Sequence, residues 1–334
     1  MIITNNHGIS LPLAVWLLHD DYDYVKDENY ISATSLLKST KQIILSKRIP
    51  YQEREADVVD FLAARFGHAI HDSIEKAWRV SGTSAMKRLG YPDHIADNLV
   101  INPTDDQIEA NPNIIPVWIE QRAIKEITIN GVVWKIGGKF DMVLDGRIFD
   151  TKTTSVYAYL KGSKDEDYSL QGGIYRWLNP EKITSDHIYI QFLFTDWQRA
   201  EARRNSNYPQ HKALEYPVPL PSDDDVQDYV VGKIKELSRL WNSPEEHLPP
   251  CTDKELWRSE PQFKYYSDPA KANDPNARST KNFDNLAEAN AFAAEKGKGV
   301  VVTKMGEPKA CTYCPAFQAC QQRKRYFTDD GEAL

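Results

Sequence analysis

The sequence predicts an α/β fold, a small mixed central sheet flanked by helices, with a helical N-terminal region and a small C-terminal unit. Three observations carry that expectation. Residues 123–153 read as a three-stranded meander, because Asn130-Gly131 and Asp145-Gly146, pairs favoured in primed hairpin turns, separate three apolar-rich stretches. A helix with apolar and charged positions interleaved is expected before it, over 61–80; a helix over 168–178 and an apolar strand over 187–195 follow. Helix, meander, helix, strand is the order of a mixed α/β sheet. At 334 residues and 41% hydrophobic, the chain can bury one large core and carry an appendage.

Each element has its local reason. Residues 1–60 are expected to be helical after an irregular start, and Ser32-Ala33-Thr34-Ser35-Leu36-Leu37 reads as a capped helix opening. Residues 82–116, polar and containing Pro and Asn, predict a short helix with loops. Within the meander, 123–129 alternates, 132–144 is a long strand and 147–153 a third one. Gly137-Gly138 inside the long strand predicts a bulge or a close backbone approach. The helix over 168–178 closes at Asn179-Pro180, and Ser222 with Asp225 gives a capping-box signature to a helix over 223–241. Near the C-terminus, 283–296 reads as an Ala-rich helix and 299–304 as a short strand ending at Gly306. The expected division is a helical region over 1–60, a core over 61–245 and a terminal unit over 246–334.

Charge and hydropathy exclude several classes. The net charge is −7, so there is no global basic footprint; nucleic-acid binding would need a local groove and metal ions. No run approaches the ~18–20 apolar residues that span a bilayer. Residues 9–18 are apolar but lack a basic leader and run into His19-Asp20-Asp21, unlike a signal peptide. A reducing cytoplasm is the expected location, without a membrane partner. No G-x-x-x-x-G-K-[ST] occurs, so no ATP motor of that type is built in.

The chemistry concentrates in the second hairpin. Asp141 lies on its first strand, Asp150 and Lys152 on its second, where a period of two turns the latter pair to one face. Two carboxylates and an ammonium converging there can hold a divalent cation and leave a lysine to orient or activate water. Read alone, the same residues make a surface hairpin with a solvated Asp–Lys pair. Asp145 belongs to the turn.

These residues and their order resemble the PD-(D/E)XK nuclease superfamily, most of all its RecB-type branch of CRISPR-associated and phage exonucleases. Gly67-His68-Ala69-Ile70-His71 matches the branch's Gly-x-x-x-His helix. Asp141 matches its strand aspartate, Asp150 and Lys152 its acid-x-Lys, and Gln171-Gly172-Gly173-Ile174-Tyr175 its Gln-x-x-x-Tyr. The likeness covers residues 30–200 and the C-terminal cysteines, and implies a restriction-endonuclease-like core.

The resemblance implies one or two Mg²⁺ or Mn²⁺ ions held by His71, Asp141, Asp150 and the carbonyl of Thr151, an imidazole ligand tilting preference toward Mn²⁺. It implies that Lys152 holds or deprotonates the attacking water, and that Gln171 and Tyr175, one turn apart, contact the scissile backbone or brace Lys152. His68 competes with His71 as ligand, and His71 read alone is a core histidine. Glu120 stands where relatives often carry a Glu, or is an exposed helix-end carboxylate. Glu75 reads as a surface or neighbouring residue, and Tyr175 and Trp177 also read as core aromatics.

Cys311, Cys314 and Cys320 form C-x2-C-x5-C, with Cys251 as the remaining thiol. In a reducing compartment that spacing favours a metal over disulfides. It matches the C-terminal half of the [4Fe–4S] site in cluster-bearing RecB-type nucleases, whose first cysteine lies upstream of the core. This chain has Ser39-Thr40-Lys41 there, so Cys251 would be the fourth ligand and the cluster would close only the C-terminal segment. Structural Zn²⁺ on the four cysteines is the alternative, and free buried thiols a third reading. Lys296, Lys298, Lys304, Lys309, Arg323, Lys324 and Arg325 make this end locally basic, as a solvated surface or a phosphate grip.

The function expected is a Mg²⁺- or Mn²⁺-dependent deoxyribonuclease, an exonuclease in recombination, repair or phage DNA processing. DNA is the expected partner; a helicase or recombinase and a second copy of the chain are candidates. The alternative is a non-catalytic nucleic-acid-binding or assembly subunit that retains the fold.

Overall fold

The computed structural model describes residues 1–162, 164–274, 277–328 and 331. In chain order the elements are β1 (Ile2–Thr4), α1 (Leu11–Leu18), β2 (Tyr30–Ser32), α2 (Ala33–Leu36), α3 (Thr40–Arg48), β3 (Glu55–Asp57), α4 (Leu62–Arg88), α5 (Asp93–Ala96), β4 (Leu99–Ile101) and α6 (Asp105–Ala110). Then follow β5 (Ile115–Ile129), β6 (Val132–Leu144), β7 (Arg147–Thr154), α7 (Val156–Lys161), α8 (Asp165–Leu178), β8 (His187–Phe194), α9 (Arg199–Arg204), β9 (Ala213–Pro219) and α10 (Asp223–Leu240). The last are β10 (Gln262–Tyr266), β11 (Lys281–Phe283), α11 (Leu286–Lys296) and β12 (Val300–Lys304).

These elements form two units, Met1–Leu37 with Tyr51–Arg239, and Lys38–Pro50 with Leu240–Leu334. The grouping differs from the expected three parts. Residues 1–60 are not a separate helical region: β1, β2 and β3 interrupt it, and Lys38–Pro50 groups with the C-terminal residues.

The first unit is an α/β structure around a mixed seven-stranded sheet flanked by helices, in the order β4-β5-β6-β7-β8-β9 with β2 pairing β6. Pairs β5–β6, β6–β7 and β8–β9 are antiparallel; β4–β5, β2–β6 and β7–β8 are parallel. The meander follows the turn chemistry. Asn130, Gly131, Asp145 and Gly146 all have φ between 52° and 78°, the left-handed values a primed turn demands. Strand β8 alternates strictly, with Ile188, Ile190, Phe192 and Phe194 buried against the core. Helix α4 runs further than the expected 61–80, to Arg88, and lays Ile74 and Trp78 on Val117, Ile119 and Met142. Strands β2, β4 and β9 extend the sheet where the sequence carries little strand signal.

Gly137 and Gly138 mark a close approach, not a bulge, because pairing with β5 is continuous there. A Cβ on Gly138 would come within 2.8 Å of the Tyr175 ring, and one on Gly137 within 2.4 Å of Tyr30. The ladder instead skips Glu120 and Asp141, between Ile119↔Met142 and Gln121↔Phe140. Glu120 has φ 54°, a left-handed conformation that costs a non-glycine residue about 1–3 kcal/mol.

The second unit holds α3 and a three-stranded antiparallel sheet, β11-β10-β12, with α11 beside it. The helix expected over 283–296 starts at Leu286, capped by Asn285, because the preceding residues pair as β11. Among the described residues, no helix is long and apolar enough to cross a membrane.

Candidate metal centre

The β6–β7 ladder runs from the turn only as far as Met142↔Phe149. Beyond it the strands part, and β6 pairs with β2 over Lys135–Gly137. Asp141 and Asp150 are the first residues past that fork. There the Thr151 amide donates to Asp141 Oδ2 at 3.0 Å instead of to a ladder carbonyl.

Helix α4 delivers His71 to the same place. Its Nδ1 lies 3.2 Å from Asp141 Oδ2 and its Nε2 3.0 Å from the Thr151 carbonyl oxygen. The imidazole therefore bridges two oxygens that a cation would also seek. Glu120 completes the group: ligand atoms of His71, Glu120 and Asp141 all lie within 4.8 Å of one another. Glu120 is not a helix-end carboxylate; it sits in β5, and its Oε2 is 2.8 Å from Lys139 Nζ. Glu120 lies outside the expected ligand set, since a left-handed residue within a strand leaves no signal in the sequence.

Asp150 and Lys152 share a face, as expected. The Asp150 side chain is 3% exposed, with Lys152 Nζ 2.7 Å from its Oδ2. The ammonium is thus the close partner of this buried carboxylate. On α8, Gln171 Nε2 donates to the Tyr175 hydroxyl at 2.9 Å, and both residues are buried. Tyr175 reaches the strand because Gly138 leaves room for its ring. Gln191 of β8, which nothing in the sequence flagged, accepts from the Thr151 hydroxyl at 3.2 Å. His68 is exposed and faces Arg65, with Nδ1 3.2 Å from Nη1, so it does not join the group.

The electrostatics follow from crowding charge into a recess. The hydrogen bond to Asp141 outweighs burial and lifts His71 above its ordinary value. Burial would raise Asp141, but His71, Lys152 and the Thr151 amide together hold it low. Asp150 is pushed up by burial, with Asp141 adding to the rise and Lys152 opposing it. Burial disfavours the Lys152 ammonium, yet Asp150 and Asp141 outweigh it and keep the amine charged. Burial raises Glu120 as well, against the pull of Lys139. Of the three carboxylates, Asp141 is held low and Asp150 and Glu120 are pushed up, and a divalent cation at their centre would favour the charged form of all three.

The donor set fits such a cation. It comprises hard carboxylate oxygens, a backbone carbonyl and one imidazole, the mixture suited to Mg²⁺ or Mn²⁺.

In the second unit, Cys251, Cys311, Cys314 and Cys320 line one cavity, together with Lys41, Gln42 and Leu45 of α3. All four are free thiols. Among the described residues, no three of their sulfurs lie within 4.8 Å of one another. Burial pushes the Cys311 thiol up to about 11 and raises Cys251 and Cys314 too, so without a cation these three thiols stay protonated. Ser39 Oγ is 3.1 Å from Cys251 Sγ. The cysteine cavity thus includes residues of α3, while the four cysteines themselves all lie in the C-terminal segment. Arg323 of the basic C-terminal run is buried, its guanidinium 4.7 Å from the Phe317 ring centre; the other six cations of that run are exposed.

No family model matches this sequence, and no curated protein matches it. Among solved structures, the crystal structure of SSO0001 is similar with a TM-score of 0.41 and 19% sequence identity, over 74% of this chain and 96% of that one.

Proposed function

We propose that this chain is a metal-dependent deoxyribonuclease of the PD-(D/E)XK type, with a restriction-endonuclease-like core, acting as an exonuclease in recombination, repair or phage DNA processing. The observation that carries the reading is the fork between β6 and β7. It sets His71, Glu120 and Asp141 within 4.8 Å of one another. Beside them lie a buried Asp150 carboxylate and a charged Lys152, with Nζ 2.7 Å from Oδ2. A scaffold without catalysis has no physical use for that accumulation of unfavourable charge.

His71, Asp141, Asp150, the Thr151 carbonyl and Glu120 would hold one or two Mg²⁺ or Mn²⁺ ions. When bound, the ions supply charge for the phosphoryl oxygens and acidify the attacking water. Lys152 would hold that water by a hydrogen bond and offset negative charge as the phosphorus becomes pentavalent. Asp150 keeps the Lys152 ammonium charged and aimed. Gln171 and Tyr175, hydrogen-bonded to each other, would brace Lys152 or contact the scissile backbone.

The four cysteines belong to the same proposal. A tetrahedral Zn²⁺ site, with Zn–S bonds of ≈ 2.3 Å, draws its sulfurs to about 3.8 Å apart. The four thiols line one cavity, and a [4Fe–4S] cluster is the proposed occupant, with structural Zn²⁺ as the alternative. The cluster's role would be to hold α3 and the C-terminal segment as one folded unit.

The reading is tested by assaying phosphodiester cleavage of linear DNA with wild type and Asp150→Asn at several Mn²⁺ concentrations. Wild-type cleavage that needs metal and is lost in the variant supports it; equal rates for the two proteins reject it.

A further inference from the structure

The residues leading along β6 to Asp141 carry a second pattern. With a period of two, Lys135, Gly137, Lys139 and Asp141 share one face, successive members about 6.8 Å apart. Arg122 of β5 pairs across with Lys139 and adds a third cation. Tyr30 covers the bare Gly137 position, and the Tyr22 ring lies 5.3 Å from the Arg122 guanidinium and 5.2 Å from Lys139 Nζ. Cations interleaved with aromatic rings, ending at a candidate metal centre, are what a single nucleic-acid strand needs: charge for phosphates and flat faces for bases.

That row already has an anionic occupant. Asp23 Oδ1 lies 2.8 Å from Arg122 Nη2 and 3.7 Å from Lys139 Nζ, whose nearer partner is Glu120 Oε2 at 2.8 Å, and Asp27 Oδ2 lies 2.7 Å from Lys135 Nζ. One extended segment between α1 and β2 thus sets carboxylates over successive cations, as a strand of phosphates would. The cations are recessed, with Arg122 15% and Lys139 21% exposed, whereas Asp23 is 66% exposed. Asp23 can therefore return to water when a polyanion takes its place on the recessed cations.

Resting on the nuclease reading, we propose that Arg122, Lys139 and Lys135 form the track for the phosphates of a single DNA strand entering the metal centre. The Asp23–Asp27 segment is its resident mimic, displaced when the strand binds. The phosphate oxygens take the positions of the Asp23 and Asp27 carboxylates, and Tyr22 and Tyr30 are left to stack on bases.

The test is fluorescence anisotropy of a labelled single-stranded oligonucleotide, with Ca²⁺ in place of Mg²⁺, across a salt series. Arg122→Gln and Lys139→Gln should each reduce the slope of log affinity against log salt by about 0.7, one phosphate contact on a single strand. Arg122→Lys should retain the slope. Asp23→Asn with Asp27→Asn should tighten binding up to about tenfold. This double variant removes no core group, so it tests the track even if Arg122→Gln folds poorly. Unchanged slopes together with unchanged affinity in the double variant overturn the track. A wild-type protein that cleaves DNA while giving that result leaves the nuclease reading standing; one that neither binds nor cleaves DNA overturns both. Equal tightening for duplex and single strand overturns the single-strand assignment.

Discussion

His71 and Asp141 meet side chain to side chain, Nδ1 3.2 Å from Oδ2, while the far side of the same imidazole lies 3.0 Å from the Thr151 carbonyl. Protonated, the ring donates from both nitrogens to two oxygens of the expected ligand set. The imidazolium then stands where a divalent cation would balance the same charge. Loading the site means removing that proton.

His71→Ala should weaken Mn²⁺ binding by more than the about 10–100-fold typical of losing an outer partner of a metal ligand. His68→Ala should leave it unchanged, because His68 is exposed and directed at Arg65. Calorimetric titration of both variants decides this, and an effect confined to His68→Ala would contradict the assignment of the α4 helix.

The raised His71 value gives a pH dependence in metal-free protein. A folded-state value above the ordinary 6.5 means the folded chain binds this proton more tightly than the unfolded one. The stabilisation is complete below about 6.5 and is lost as pH rises through the folded value. In EDTA, the difference in Tm between wild type and His71→Gln should therefore shrink from slightly acidic to alkaline pH. A difference that grows with pH would contradict the pairing.

Glu120→Gln should reduce metal affinity while the fold persists, since Gln keeps the side-chain length and can still accept from Lys139. Sequence gave no more than a hint of this residue. What the sequence made legible were the turns, the meander and the i, i+2 and i, i+4 relations among Asp150, Lys152, Gln171 and Tyr175, all local consequences of backbone geometry. The parting of β6 from β7, the φ of 54° at Glu120 and the parallel strand β2 depend on distant packing. Three residues of β2 carry too little pattern to be read. Grouping of Lys38–Pro50 with the C-terminal unit was equally hidden, because only the folded chain brings Ser39 to Cys251.

Anaerobically purified protein should be brown and contain about four irons per chain if the cysteines hold a [4Fe–4S] cluster. About one zinc in colourless protein would contradict that and favour the tetrahedral site. Cys314→Ser should then expose both the α3 segment and the residues after Leu240 to protease, while the hairpin around Asp141 stays folded. Unchanged proteolysis with no bound metal would reduce the thiols to packing.

Lys152→Ala should abolish cleavage without unfolding the protein, because its side chain is a third exposed. The loss should reach at least the ~10²–10⁴-fold typical of one acid–base group. A circular-dichroism melt alongside single-turnover cleavage separates chemistry from stability.

The measurement that bears most directly on the central claim is incubation of purified protein with end-labelled linear DNA and with circular DNA, in Mg²⁺, Mn²⁺ or EDTA. The fork between β6 and β7 predicts loss of linear DNA with either metal, none in EDTA, and circular DNA spared by an exonuclease. Intact linear DNA under both metals, from folded protein that binds Mn²⁺, would contradict it.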